Sequence, residues 1–374
     1  MQVYYYFIAY VIGVGFLAHY NHAQMPPRIK YQHDDNVWYK NQYGFWYLLL
    51  FAGFAFVSSF RYRVGTDFNY YYRIQAFEWS DVWELFLGFD EPGFPFLITL
   101  ARGMWDHGVA NIVISSILIT MLVFYGISQY DQNQITFSLL LYMFTGVWLF
   151  SFNGIAQALA VATIFAFSKK SESKWWILKY VVVVLVACLF HSSALVLLPV
   201  LILSQRKINF TQIIVIFVSA LAIPMFFDWV YQYMQVDLTE EDSLVYIEST
   251  INPIRVVVAF APLALLLIAV YKKKFVEKHY FLTNMVIFNA VLTLVTAHSA
   301  YLNRVTKYTT IFIIAFIPEC LKATTKNMRI VTTVLTVVLY LAFFLYEIHN
   351  SPYLNNFRWS FDKFIDYGTN VIGM

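Results

Sequence analysis

Residues 59–72 read Ser-Phe-Arg-Tyr-Arg-Val-Gly-Thr-Asp-Phe-Asn-Tyr-Tyr-Tyr and directly follow an apolar run, 45–58, that is long enough to cross most of a bilayer. Arg61, Arg63 and Asp67 therefore emerge where a membrane helix meets water. A guanidinium stays charged in any environment, and its planar fork matches a pair of phosphate oxygens. Two interpretations stay open: the arginines anchor the helix at the interface, or they bind an anionic group.

The composition is that of a membrane protein. Of the 374 residues, 60% are hydrophobic and 13% are charged, and the mean hydropathy is +0.60. Soluble globular proteins carry about twice that share of charged residues. The net charge of +3 is too small to predict nucleic-acid binding. Residues 1–18 lack a basic start and a small-residue cleavage site, so we expect a retained first helix.

Apolar runs near the length of a bilayer predict about twelve membrane helices, within a range of about ten to fourteen. The runs lie at 2–19, 45–60, 109–127, 135–150, 152–168, 175–190, 192–204, 211–234, 254–271, 280–297, 308–322 and 329–348. The pieces 135–168 and 175–204 can each be a bent pair or a re-entrant hairpin. The sequence thus predicts an all-α polytopic membrane protein, with residues 1–374 forming a single integral membrane domain.

Clusters of Lys and Arg orient the predicted helices, because cytoplasmic loops carry an excess of these residues. The clusters are Lys169, Lys170 and Lys174, then Arg206 and Lys207, then Lys272 to Lys274 with Lys278, and finally Lys322, Lys326 and Arg329. All of them fall on one side of the bundle, as does the loop 25–40. The acidic loop 237–248, the segment 61–108 and both termini then fall outside.

The segment 61–108 is unusually long for a mere connection. We expect it to be an extracytoplasmic loop with interfacial helices, including an amphipathic helix over 70–87. A turn at Glu91-Pro-Gly-Phe94 then leads into an apolar piece, 94–100, that dips into the membrane.

Several basic residues fall on the predicted outer side, although basic residues are expected mainly on the cytoplasmic side. Their presence there therefore needs a reason other than the orientation of the helices in the membrane. These residues are Arg61, Arg63, Arg73, Arg255, Arg304 and Lys307. An anionic ligand at the outer face would be such a reason. Asn153 and Gln157 enter the helix 152–168 at the same face, and His191 lies at an outer turn.

Several short motifs recur in order along the chain. They are Arg61-Tyr-Arg-Val-Gly-Thr-Asp67 with Tyr71, Glu91-Pro-Gly-Phe94, Asn153-Gly-Ile-Ala-Gln157 with Ala160, Phe190-His-Ser-Ser-Ala194 with Pro199, and Arg304 before Tyr308. With these motifs the chain resembles the EpsG family of Wzy-like exopolysaccharide polymerases over about 45–310. The family pattern is Asn-x-x-Arg-Gln-x-x-Ala, whereas Ala156 occupies the arginine position here. Either this chain handles its substrate differently or an arginine was replaced, and the intact neighbours favour replacement.

The resemblance implies a GT-C-like glycosyltransferase in the bacterial cytoplasmic (inner) membrane, with an extracytoplasmic active site. It implies that glycans linked to a polyprenyl diphosphate, such as undecaprenyl diphosphate, are both donor and acceptor. Membrane lipids, a flippase and a chain-length regulator are the other implied partners, and neither nucleic acid nor a cofactor is expected.

The implied reaction needs cations on the diphosphate leaving group and a base for the acceptor hydroxyl. Suitable cations are Arg61, Arg63, Arg255 and Arg304. The candidate catalytic groups are Asp67, Glu91 and His191, and the candidate glycan-binding residues are Tyr71, Asn153, Ala156 and Gln157.

Each assignment has a purely structural alternative. Asp67 can neutralise Arg63, and Glu91 can hydrogen-bond the turn that it opens. His191 can be a structural histidine in apolar surroundings. Asn153 and Gln157 can form contacts between helices.

The sequence has no Asp-x-Asp pair, no paired His at helical spacing and no glycine-rich phosphate loop, so we expect no metal site. A lipid-linked glycan ligase has the same donor chemistry and stays an alternative. An O-acyltransferase is disfavoured because His191 faces outwards. A transporter is disfavoured because the charges collect at the outer ends of the helices and not at the midplane.

Overall fold

The structure is a computed structural model, and it describes residues 1–23, 43–130, 134–169, 175–204, 251–270, 275 and 279–361. The predicted span 211–234, the acidic loop 237–248 and the loop 25–40 lie outside the described residues. So do most of the basic residues that orient the chain, namely Lys170, Lys174, Arg206, Lys207, Lys272 to Lys274 and Lys278. The orientation of the helices in the membrane therefore stays a prediction.

Helices dominate the described chain. The first part contains α1 (Gln2–Ala23), α2 (Tyr43–Ser59), α3 (Phe68–Arg73), α4 (Trp79–Gly88), α5 (Gly93–Met104), α6 (Gly108–Ser128), α7 (Ile135–Phe144), α8 (Val147–Asn153) and α9 (Ile155–Phe167). The second part contains α10 (Trp176–Cys188), α11 (Leu197–Ser204), α12 (Pro253–Val270), α13 (Tyr280–Val295), α14 (Ala300–Asn303), α15 (Lys307–Thr310), α16 (Ile313–Lys322), α17 (Lys326–Asn350) and α18 (Pro352–Asn355). Short 3-10 turns occur at Ser192–Val196, Thr296–His298 and Arg304–Thr306.

In the described ranges, 3 helices are long and apolar enough to cross a membrane: Gln2–Tyr20, Gly108–Ser128 and Lys326–Asn350. The helices α7 and α8 form a further candidate, bent by 53°. The bend occurs at Gly146, whose φ of 77° lies in the left-handed region that favours glycine. Each remaining predicted span in the described ranges is mainly helical but shorter. The chain is thus an all-α polytopic membrane protein with 3 to 4 candidate spans in its described part, and the predicted count of about twelve is not confirmed.

The helix α9 lies at the centre of the bundle. It is buried along almost its whole length and contacts α6, α10 and α15. Alanines at positions 158, 160, 162 and 166 allow these neighbours to approach its backbone closely. The N-terminal end of this central helix is where most of the candidate site residues meet.

A two-stranded antiparallel ribbon joins distant parts of the chain. Its strands are β1 (Arg61–Tyr62) and β2 (Arg358–Trp359), with Arg61 opposite Trp359. The N-terminal ammonium donates to the Asn355 carbonyl at 2.8 Å, and the Tyr4 hydroxyl donates to the Leu354 carbonyl at 3.1 Å. The segment 61–108 therefore begins with a short strand, and its helices follow.

The amphipathic helix predicted over 70–87, in the same segment, is not continuous in the structure. The helix α3 stops at Arg73, the chain is extended after it, and α4 begins at Trp79. The Ile74 carbonyl accepts hydrogen bonds from Arg102 Nη2 at 2.8 Å and from Asn111 Nδ2 at 2.9 Å. These two side chains take the place of a helical N–H donor, so the helix ends there.

Candidate active site

The loop that carries Asp67 is held against the break between α8 and α9. Gly65 has φ +100°, and a Cβ atom at this position would lie 2.4 Å from the Phe152 carbonyl oxygen. The next residue, Thr66, donates its backbone N–H to Asn153 Oδ1 at 2.9 Å and its hydroxyl to Asp67 Oδ1 at 2.7 Å. Asn153 thus positions the loop. This contact is structural, which is one of the two roles that the sequence allows for Asn153.

Asp67 meets Arg304 in this position. The distance from Arg304 Nη2 to Asp67 Oδ2 is 3.9 Å, and the two side chains are 30% and 28% exposed. Arg304 comes from the short turn between α14 and α15, so residues from opposite ends of the chain share one site. Both side chains remain accessible to a ligand.

Tyr71 lies next to this pair, at the N-terminus of α9. Its ring is buried, and burial raises the pKa of its hydroxyl to about 12, with the Asp67 charge acting in the same direction. The backbone N–H groups of Ala156 and Ile155 and the Arg304 guanidinium act against this rise. Tyr71 and the half-buried Ala156 therefore adjoin the same helix end and the same charges.

Glu91 and His191 form a second pair. Glu91 has φ 47°, which is rare for a residue with a Cβ atom and typical of functional sites. Glu91 Oε1 lies 2.9 Å from His191 Nδ1 and accepts from the Ser192 backbone N–H at 2.7 Å. Burial alone would raise the pKa of Glu91, but these hydrogen bonds outweigh it and hold the pKa at about 2. The carboxylate is therefore ionised at neutral pH.

A short chain of polar contacts lies among residues that are next in sequence to members of the two pairs. Gln157 Nε2 lies 3.4 Å from Ser193 Oγ, which lies 3.0 Å from the Tyr308 hydroxyl. Gln157 follows Ala156 on α9, and Ser193 follows the Glu91 partner Ser192. Ser193 and Tyr308 were not assigned to the site from sequence, although both fall within the quoted motifs.

Three of the candidate diphosphate ligands do not contact the Asp67–Arg304 pair or the Glu91–His191 pair through any described hydrogen bond or ion pair. They are Arg61, Arg63 and Arg255. Arg61 is 1% exposed; its Nη1 donates to Ser116 Oγ at 3.0 Å and to the Ser58 carbonyl, and its guanidinium lies over the Phe152 ring. Burial lowers the pKa of Arg61 to about 9, so it stays charged at neutral pH. Arg63 is exposed and lies over its neighbour Tyr62. Their roles as ligands stay predictions, and the burial of Arg61 favours a structural one.

Arg255 is the third of these ligands. Its Nε and Nη2 donate to the two carboxylate oxygens of Glu347 at 3.1 and 2.6 Å. Glu347 lies in the predicted span 329–348, and an acidic residue inside a membrane helix is a signal that the sequence analysis did not use.

No group of three or more His, Cys, Asp and Glu side chains suited to a metal ion occurs in the described ranges. The arrangement instead offers a carboxylate–histidine pair, a cation beside a carboxylate, and the positive end of a helix.

A sequence model described as the EpsG family matches residues 44–363, which is most of the chain. Comparison with curated proteins and with solved structures found no match.

Proposed function

Because the chain belongs to the EpsG family of Wzy-like polymerases, we propose that it is a glycosyltransferase that joins oligosaccharide repeat units carried on a polyprenyl diphosphate. The reaction takes place at the outer face of the bacterial cytoplasmic membrane. The donor and the acceptor are both lipid-linked glycans.

The meeting of Asp67 and Arg304 beside the N-terminus of α9 carries this proposal. Residues of the first and the last family motif come within 3.9 Å of each other there. A cation and a helix N-terminus both favour the negative charge that develops on a leaving diphosphate. Arg304 is therefore the diphosphate ligand that the geometry supports best.

In the transfer step, an acceptor hydroxyl oxygen forms a bond to the anomeric carbon of the donor glycan. The bond from that carbon to the phosphate oxygen breaks, and its electron pair stays on the diphosphate. The hydroxyl proton passes to a base on the protein. Polyprenyl diphosphate and the elongated lipid-linked glycan are the products.

His191 is the base that the geometry favours among Asp67, Glu91 and His191. Glu91 is ionised and accepts at Oε1, so the proton of the imidazole lies on Nδ1 and Nε2 is left to accept a proton. Glu91 orients the ring and stabilises the imidazolium that forms. Asp67 instead faces Arg304 and holds its guanidinium in place.

Ser193 is partly exposed and supplies a hydroxyl group that suits a sugar hydroxyl, and the buried Gln157 and Tyr308 hydrogen-bond to it. Tyr71 and Asn153 hold the Asp67 loop on α9. A GT-C-like bundle of about twelve helices, with the segment 61–108 outside the membrane, fits this chemistry. The lipids of the membrane, a flippase and a chain-length regulator are the proposed partners, and neither nucleic acid, a cofactor nor a metal ion is needed.

The test uses the purified full-length protein with the lipid-linked repeat unit of its host, and product length is read on a gel. His191→Gln should lower polymer formation by about 10² to 10⁴-fold, the usual contribution of a general base. The matched control is His349→Gln, because His349 is exposed on α17. Full polymerisation by His191→Gln would exclude His191 as the base, and transfer only to an acceptor without a repeat unit would indicate a ligase.

A further inference from the structure

A polar cavity adjoins the turn that carries Arg304. It is lined by Arg255, Lys307, Thr145, Asn289, Asn303 and Thr306, among other residues, and we call it the polar chamber. Its volume is about 30 Å³, which is room for about two water molecules.

The charges of the polar chamber are unbalanced. Arg255 is paired with Glu347, as described above. Lys307 has no carboxylate oxygen within 4.0 Å in the part of the chain that the structure describes, and its ammonium lies 5.9 Å from the centre of the Phe150 ring. Burial and the neighbouring Arg255 charge lower the pKa of Lys307 to about 8, so most of the ammonium is charged at pH 7. Two cations, Arg255 and Lys307, thus line the chamber, and Glu347, the partner of Arg255, is not among its described lining residues.

An orphaned hydroxyl gives a second, independent indication of a ligand. Thr145 is 4% exposed, and its Oγ1 has no hydrogen-bond partner among the described residues. Asn289 Oδ1 already accepts from Thr310 at 2.7 Å and from Thr309 at 3.2 Å, which leaves the Asn289 NH2 group as a donor. Buried polar groups without a partner are rare and point to a bound water, ion or ligand.

We infer that the polar chamber binds a phosphate group, with Lys307 as its main ligand and Thr145 as a hydrogen-bond donor. A phosphate accepts hydrogen bonds at every oxygen, and its charge offsets that of Lys307. The group belongs to the polyprenyl diphosphate of the substrate, because Lys307 is only three residues from Arg304. This inference rests on the proposed function, and it adds a phosphate site that lies inside the bundle.

The test measures binding of farnesyl diphosphate to the full-length protein in nanodiscs by calorimetry, with inorganic phosphate as a second probe. Lys307→Gln should weaken farnesyl diphosphate binding by at least about tenfold, because it removes the charged donor of the hydrogen bond to the phosphate. Thr145→Val should weaken it by about threefold to tenfold without lowering the Tm of the free protein, because it only removes an unpaired hydroxyl. The matched control is Lys322→Gln, since Lys322 is already paired with Glu319 at 3.1 Å.

Affinity within about twofold of the wild type for both Lys307→Gln and Thr145→Val would overturn the inference and would mean that the chamber holds water alone. The proposed function would stand even then if Arg304→Gln abolished farnesyl diphosphate binding, because the diphosphate would bind at Arg304 without the chamber. Tight binding of inorganic phosphate that also depends on Lys307 would support a phosphate site but assign it to free phosphate. Wild-type protein that neither binds farnesyl diphosphate nor forms polymer would contradict the proposed function itself.

Discussion

Asp67 Oδ2 lies 3.9 Å from Arg304 Nη2, and this contact joins the loop that follows α2 to the turn that precedes α15. Because both side chains are partly exposed, the pair contributes little to stability, about 0.2–1 kcal/mol for pairs of this kind. Its position beside Tyr71 and the N-terminus of α9 leads us to propose that it acts in substrate binding and not in stability.

We therefore expect Asp67→Asn and Arg304→Gln each to lower polymer formation by at least about tenfold, with Tm changes of only a few degrees. The double variant should lose little more than either single variant, since the two residues act together. Product length and thermal unfolding are the measurements. Asp81→Asn, on the exposed face of α4, is the control, and additive losses in the double variant would contradict a shared role.

Glu91 leads to a prediction about pH. Its pKa is held at about 2, so its interaction with His191 is complete above the ordinary carboxyl pKa and is lost only as pH falls towards 2. Between pH 5 and 8 the charge of Glu91 is constant, so Glu91 itself adds no pH dependence to the activity in this range. Glu91→Gln should lower the maximal rate by about tenfold, because the variant removes the carboxylate that orients His191. An unchanged maximal rate would argue against a role of this pairing in catalysis.

Arg61 and Arg63 should respond differently to substitution by Ala. Arg61→Ala removes a buried side chain and its hydrogen bonds, so we expect a loss of about 2–4 kcal/mol in the free energy of unfolding. Arg63→Ala is the matched control for stability, because Arg63 is exposed, and it should leave the free energy of unfolding near the wild-type value. Folded Arg61→Ala protein with unchanged Tm and no activity would instead support Arg61 as a diphosphate ligand.

Ala156 occupies the position at which the family pattern has arginine. It is half-buried in the first turn of α9, beside Tyr71 and one residue before Gln157. We expect Ala156→Arg to increase polymer length in a cell-based assay, because it adds a cation next to Arg304 and Asp67. Ala156→Gln adds similar length without charge and should have no such effect. Equal polymer from both variants, at matched expression, would show that this chain does not use the cation.

The C-terminal segment should be necessary for an ordered site. Gly65 donates its backbone N–H to the Tyr353 carbonyl at 3.2 Å, and Ser360 donates to the Phe60 carbonyl at 2.8 Å. Deletion of the residues after Asn350 should therefore increase hydrogen exchange in 61–67 and lower activity, although α17 remains. Deletion after Phe361 keeps these contacts and is the control. Unchanged exchange in 61–67 after the longer deletion would refute this role.

Sequence alone was sufficient for the class of fold and for the family. Apolar runs set which segments become helices, because each helix satisfies its own backbone hydrogen bonds in lipid. The order of the motifs, from Arg61 to Arg304, identified a family that the comparison with residues 44–363 confirms. These are local properties, readable without knowledge of the packing.

Tertiary structure decided which charged side chains meet. Arg61 and Arg63 are two residues apart, yet Arg61 is buried in β1 and Arg63, which follows the strand with φ 53°, is exposed. Arg255 looked like a ligand for an outer anion, but α17 places Glu347 against it. The side-chain bonds to the Ile74 carbonyl that end α3, and the strand contributed by residues 358–359, also depend on contacts between distant parts of the chain. A local pattern specifies which face of an element is apolar, whereas the partner of each charge is set by how the helices pack.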